Sequence, residues 1–209
     1  DVERSRGLGD VYKRQKINTS IILAYANQKY NYRQKFFIKR LNKLDLIHCS
    51  SHRLKEIFCQ AGVLNKKIRV ISLSNPNITN ISPKPIREHK YPVVFGYAGG
   101  EYTHKGYHVL LKAFSKLDQN KSKLIMWQVK QSKWIKNYNI EIREKYKPKE
   151  INKAFEDIDV GVVPSIWEEA FGMIGIEFLT AKIPVIGSKV GAVSYTHLRA
   201  HETSQHLVC

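Results

Sequence analysis

The chain has 209 residues, 43% apolar and 25% charged, with 35 Lys and Arg against 18 Asp and Glu for a formal net charge of +17. That apolar share packs a core and excludes a disordered polyelectrolyte, no apolar run reaches the length of a membrane span, and Cys49, Cys59 and Cys209 make no disulfide framework. The charge invites an anionic partner, whether nucleic acid, acidic lipid or a phosphorylated substrate, although a chain rich in Lys, Asn, Ile and Tyr also carries the mark of AT-rich codons, which explains the basicity equally well.

Residues 1–15 read DVERSRGLGDVYKRQ. A permitted coding sequence for them, reverse-complemented and shifted by one base, translates as AVSYTHLRAHETSQH, which is residues 192–206 in order. The two ends are therefore one DNA read in opposite directions, and the stretch resembles translated transposon-type sequencing adapter. Residues 1–15 and 193–209 are accordingly set aside from fold reasoning. With them go His197 and His201, whose spacing of four would otherwise suit two metal ligands on one helical face. The two ends carry about one unit of the net charge, so the basicity belongs to residues 16–192. That stretch is expected to be cut at both ends, so the absence of a signal peptide says nothing.

Residues 16–34 show no clear period. FFIKRLNKL predicts a helix, LDLIHCSS a short buried strand and turn, and SHRLKEIFCQAG a second helix. In that helix Ser51 is the N-cap, Leu54, Ile57 and Phe58 form the apolar face, and Gly62 is the stop. KKIRVISL is a strand, and SNPNITNISPKPIREHKYP reads as a linker by its Pro, Asn and Ser content. The periods then alternate. YPVVFGYAG is a strand running into glycines, and GYHVLLKAFSKL a helix with Val109, Leu110, Ala113, Phe114 and Leu117 on one face. KLIMWQV is a strand, EINKAFEDI a short helix with Ile151, Phe155 and Ile158 inward, and DVGVVPS a continuous apolar strand of the kind buried in parallel sheets. FGMIGIEFLTAK is a helix and IPVIGS the next strand. Strands alternating with helices predict a doubly wound α/β domain.

Ligands of such a domain bind at the C-terminal ends of its strands. Two loops there carry chemistry. In FGYAGGEYTHKGYHVLLKAF, Gly99 and Gly100 let backbone approach a ligand, the helix starting near Gly106 favours an anion, and Lys105 adds a positive charge. Together these suit a diphosphate, although the loop has neither the GKS/T ending of a phosphate cradle nor GxGxxG, and a glycine turn with a solvated lysine competes. In PSIWEEAFGMIGIEFLTAKIPVIGSKVGA, Glu169 lies after a strand and Glu177 lies eight residues on, about two turns into the next helix, so both can face one cleft. A carboxylate accepts two hydrogen bonds from vicinal hydroxyls, which grips a ribose or hexose. The backbone N–H groups around Phe171, Gly172 and Met173 open that helix toward an anion. A carboxylate at position 177, between Ile176 and Phe178, needs a partner.

This second segment resembles the signature of the GT-B glycosyltransferases of the large retaining family 4, with a Pro-Ser strand end, a Glu, Phe-Gly, a second Glu eight residues on, and a Pro-Val-Ile strand. The glycine loop ending in Lys105–Gly106 is similar to the family's other donor motif, and KLDLIHCSSHRLKEIFCQAGVLNKKIRVISLSNPNI to the end of its N-terminal domain and linker. The resemblance covers roughly residues 35–192. It implies a truncated Rossmann-like donor domain over 87–192, preceded over 16–86 by the end of an acceptor domain and the linker. It implies a nucleotide-sugar donor and no cofactor or metal. Glu177 would hold the ribose hydroxyls and Lys105 the diphosphate. Glu169 would sit against the donor sugar with the Phe171–Met173 backbone, and Gly99 and Gly100 would line the donor loop. The expected reaction is sugar transfer with retention to a glycan or lipid-linked acceptor, in the cytoplasm or at the inner face of an anionic membrane. Most of the acceptor domain is expected to be missing, so this chain by itself is expected to be inactive. One departure stands out. The family often carries an arginine five residues before the motif lysine, and this chain has Gly100 there, with His104 as a neighbouring candidate. That leaves open another sugar-nucleotide enzyme on the same scaffold, such as an epimerase. The remaining alternative is a basic nucleic-acid-binding domain, for which WQVKQSKWIKNY, with Trp127, Trp134 and Tyr138 among lysines, is the one suggestive stretch; no nucleic acid is expected.

Overall fold

The computed structural model describes residues 28–73, 78–85, 91–130 and 135–191; the two ends set aside above and Trp134 lie outside the described residues. The chain divides into two compact units, Asp1–His48 with Lys55–Arg69, and Cys49–Leu54 with Val70–Cys209.

The first unit opens with a helix over 28–41 (α1), which takes up the second part of the stretch that showed no period. Strand β1 (Ile47–Cys49), helix α2 (His52–Gln60) and strand β2 (Ile68–Val70) run along the division, with Cys49–Leu54 and Val70 belonging to the second unit, and β1 and β2 pair as a two-stranded sheet. Ser51 caps α2 as expected, its Oγ accepting the Leu54 N–H at 3.2 Å, and Gly62 leaves the helix at φ +107°. Asn42 secures the exit of α1: its amide donates to the Gly62 carbonyl at 3.0 Å and accepts the Leu64 N–H at 2.8 Å.

The second unit is a five-stranded parallel sheet, β3 (Val93–Tyr97), β4 (Ser122–Trp127), β5 (Ile140–Arg143), β6 (Val160–Val163) and β7 (Val185–Gly187), in the order β5-β4-β3-β6-β7. Side chains alternate across it. Ile125 and Trp127 of β4 enter one core with Val94, with Ile151 and Phe155 of α4 (Ile151–Phe155) and with Phe178 of α5 (Met173–Thr180). Leu124 and Met126 enter the opposite core with Val162 and with Leu110 and Phe114 of α3 (Tyr107–Phe114). Helices on both faces of an all-parallel sheet make the expected doubly wound α/β architecture.

Three sequence expectations change. The inward stripe of α3 is Tyr107, Leu110, Leu111 and Phe114, whereas Val109, Ala113 and Leu117 are exposed. Both stripes fit a helical period and share Leu110 and Phe114; packing on the sheet takes Tyr107 and Leu111 in place of Val109, Ala113 and Leu117. Strand β5 follows the Trp-Lys stretch and had no sequence assignment. Its Ile140 and Ile142 pack on one core, while Glu141 pairs with Lys123 at 2.6 Å and Arg143 with Asp157 at 2.9 Å, charges that guard an edge strand. Glu177 is the fifth residue of α5, one turn into it instead of two, because Gly172 at φ +76° delays the helix to Met173.

Within the expected linker, residues 78–85 are laid on this unit. Ile81 is in the core with α4, Asn152 donates to the Asn80 carbonyl at 2.8 Å, and the Lys84 N–H donates to the Ala181 carbonyl at 2.9 Å. Among the described residues no helix is long and apolar enough to cross a membrane.

Candidate functional site

Strand order reverses between β3 and β6: the chain builds outward from β3 through β4 to β5, then returns to the other side of β3. The loops leaving the C-terminal ends of two such strands diverge onto opposite faces and leave a crevice, where ligands of open α/β sheets bind. Those two loops are the ones chosen from sequence. Residues 98–106 follow β3 and residues 164–172 follow β6.

The loops are joined. The Ile166 N–H donates to the His104 carbonyl at 3.0 Å. A Cβ on Gly106 would run into the Pro164 carbonyl, so only glycine permits this approach. Lys105 Nζ then reaches Glu169 Oε1 at 2.6 Å, and Ser165 Oγ donates to the same oxygen at 2.6 Å. Glu169 is only 9% exposed. Burial by itself pushes its carboxyl up, but the hydrogen bonds from Lys105 and Ser165, the Lys105 charge and a lesser hydrogen bond from Trp167 outweigh that and hold it below the usual carboxylate range. An ammonium has three N–H donors and Glu169 takes one, so Lys105 is aimed and still able to donate to an anion.

Beneath the glycines lies Tyr97, at 1% exposed one of the most buried residues of the unit. Its hydroxyl donates to the Gly100 carbonyl at 2.9 Å, and a Cβ on Gly99 would strike its ring. Burial, then the nearby Tyr107 and Glu169, push that hydroxyl well above its ordinary pKa, so it stays a proton donor. Gly99 and Gly100, at φ +68° in the latter, thus form a loop whose shape Tyr97 sets. On the other loop, Arg53 forms an ion pair. Its Nε and Nη2 donate to the two oxygens of Glu168 at 3.1 and 2.7 Å. Ser50 Oγ also donates to the Ala170 carbonyl, at 3.0 Å. Gly191 closes against the backbone of Glu169, where a Cβ would not fit.

Glu177 keeps different company. It is 7% exposed on α5, and its charge, after burial, helps raise the Tyr146 hydroxyl. Tyr146 packs edge-on against Trp127 at the end of β4, ring centroids 5.6 Å apart. Phe171 is buried, Gly172 is the left-handed N-cap of α5, and Met173 is its first residue, with no side chain capping the first turn. The structure therefore brings Lys105, Glu169 and Ser165 together and sets Glu177 beside Tyr146. Tyr97, Arg53 and Ser50 carry no sequence signal of a site, and Ser165 lies in the Pro-Ser strand end. A concavity of about 360 Å³ in the first unit, lined by Asn31, Gln34, Lys35, Ile38, Lys39 and Ala61, includes none of the predicted site residues. Trp127 is 1% exposed and Tyr138 packs on the sheet, so neither offers a base-stacking surface.

The profile of the family described as Glycosyl transferases group 1 matches residues 78–198. Among curated proteins none matches the chain in sequence. HepE of Anabaena, in complex with UDP and glucose, superposes with a TM-score of 0.59 at 16% identity, covering 84% of this chain and 51% of that one. Sucrose-phosphate synthase of Thermosynechococcus elongatus gives 0.63 at 20% identity, covering 78% and 45%. A glycosyltransferase of Rickettsia africae gives 0.63 at 21%, covering 77% and 49%. These likenesses show the fold, an α/β GT-B type parallel sheet with flanking helices. The chain spans about half the length of the structures it resembles.

Proposed function

The chain belongs to the glycosyl transferases group 1 family, and from that premise we propose that its second unit binds a nucleotide-diphosphate sugar at the β3/β6 crevice and that the whole protein transfers the sugar, with retention, to a glycan or lipid-linked acceptor. The observation that carries the reading is the Lys105–Glu169 pair, set at 2.6 Å where the strand order reverses. In this reading Lys105 directs its remaining donors at the diphosphate and steadies the charge that develops as the nucleotide leaves. Glu169, fixed by Ser165 and Lys105, lies against the donor sugar, with the backbone of Phe171, Gly172 and Met173 and the glycine loop around it. Glu177 holds the ribose hydroxyls from the second turn of α5. Arg53, locked onto Glu168, adds a cation to the rim in place of the one missing at Gly100.

For the 209 residues alone the proposal is donor binding without turnover, in the cytoplasm or at an anionic membrane face. UDP is the first probe because HepE was seen with it. Calorimetric titration with UDP and GDP, beside Lys105→Ala and Glu177→Ala, tests the reading. The expected result is binding of one nucleotide, weakened about tenfold or more in each variant, the cost of one charge-assisted hydrogen bond. A folded chain that binds neither would end it.

A further inference from the structure

We propose that Tyr102, His104 and Trp167 form a stacking platform for a pyranose ring of the acceptor; the proposal rests on the sugar-transfer reading and adds a second ligand to the same crevice. The His104 ring lies 4.8 Å from the Trp167 ring and 5.6 Å from the Tyr102 ring, tilted by 54° and 34°. Tyr102 is 62% exposed and Trp167 51% exposed, with Ile166 exposed beside them. Adjacent rings on loop tips leave apolar surface in water at a cost, and a surface of this kind marks a binding site.

The platform is built from both crevice loops and held by their shared backbone bond from Ile166 to His104. It is also anchored at the ion pair, since His104 immediately precedes Lys105 and Trp167 stands two residues before Glu169. A ligand lying on the rings is therefore beside the place where the donor sugar is proposed to react.

The chemistry of the rim selects the ligand. A pyranose presents a face of C–H bonds, which stacks on aromatic rings, and an edge of hydroxyls, which need acceptors. Glu168 follows Trp167 and supplies such an acceptor, a carboxylate held in one orientation by Nε and Nη2 of Arg53. The hydrogen bond from Arg53 is the largest influence on Glu168, and with the Arg53 charge and a backbone bond from Gly191 it keeps this carboxyl below the usual range against the opposing effect of burial. A carboxylate rim suits a neutral, hydroxyl-rich ring.

Saturation-transfer NMR on the 209-residue chain tests the platform, with the methyl glycosides of glucose, galactose, mannose and N-acetylglucosamine as sugar probes and uridine as the base probe. At least one glycoside should bind saturably, with transfer strongest at its ring C–H protons. Trp167→Ala and Tyr102→Ala should each weaken it about tenfold, roughly the worth of one stacking contact, while Trp167→Phe, which keeps a ring, should retain most of it. Tyr102 is far outside the core, so its variant reports even if Trp167→Ala unfolds. Three results would overturn the platform: no glycoside binding, glycoside binding indifferent to both alanine variants, or uridine displacing the glycoside. A failed donor reading shows separately, as absent UDP binding by the unsubstituted chain.

Discussion

Two contacts set the chemistry of the crevice at the level of single residues, and each makes a prediction. Gly106 sits at φ +72° with the Pro164 carbonyl where its Cβ would be. Gly106→Ala should cost about 2 kcal/mol or more, combining left-handed strain with a backbone clash. Because the loops can no longer meet, it should weaken UDP binding as well; chemical denaturation and calorimetry read the two effects. Glu169 makes the second prediction. Its carboxyl is held below the ordinary 4.5 in the folded chain. A depressed folded pKa gives stability that is fully present above the unfolded value and is lost as pH falls through the folded one. Thermal unfolding followed between about pH 3 and 7 should show that loss on the acid side. In a Lys105→Met, Ser165→Ala double variant the two strongest lowering contacts are gone and burial dominates. The sign then reverses: the carboxyl rises above its unfolded value, and stability drops as pH climbs past it. An unchanged acid profile would mean that Lys105 and Ser165 do not govern Glu169.

Among the elements, α3 is where the expected apolar stripe and the packed one differ. Leu110 and Phe114 are buried, so Leu110→Ala should cost about 2–5 kcal/mol. Val109→Lys and Leu117→Lys, on the stripe that sequence favoured, should stay within about 0.5 kcal/mol of the unsubstituted chain. Leu110 lies on both stripes, so in equilibrium urea unfolding it is the two lysine variants that decide between them. The strands were legible for a different reason. VVFGY, LIMW and VGVV are apolar on both faces, the mark of strands buried in a parallel sheet, and the order in which they alternate with helices led directly to the doubly wound fold. β5 escaped because IEIR has only one apolar face and sits at an edge, next to lysine-rich chain that reads as surface. The two loops were legible from their glycines and glutamates, but their joining was not. Lys105 and Glu169 are 64 residues apart and Arg53 and Glu168 are 115 apart, and nothing local records a meeting that the sheet topology brings about. Tyr97 was hidden differently: it reads as one more apolar strand residue, and only the structure shows its hydroxyl holding Gly100.

For the whole molecule, the formal charge of +17 and the crevice make separable claims on anions. A surface this basic attracts any polyanion by counterion release, and such binding falls by orders of magnitude between about 50 and 200 mM salt. Donor binding as proposed is short-range, through one aimed ammonium and buried hydrogen-bond partners, where screening by mobile ions is weak. The expected outcome is that duplex DNA binds at low salt, is lost across that range, and is indifferent to Lys105→Ala. UDP affinity should change by less than about tenfold over the same range and collapse in that variant. Titrating both ligands at several salt concentrations reads the two slopes. If UDP followed the steep slope of DNA, its binding would belong to the diffuse charge of the surface and not to the crevice. If DNA binding persisted at high salt, Trp127, which is buried, and Tyr138, which packs on the sheet, would not be among its stacking contacts.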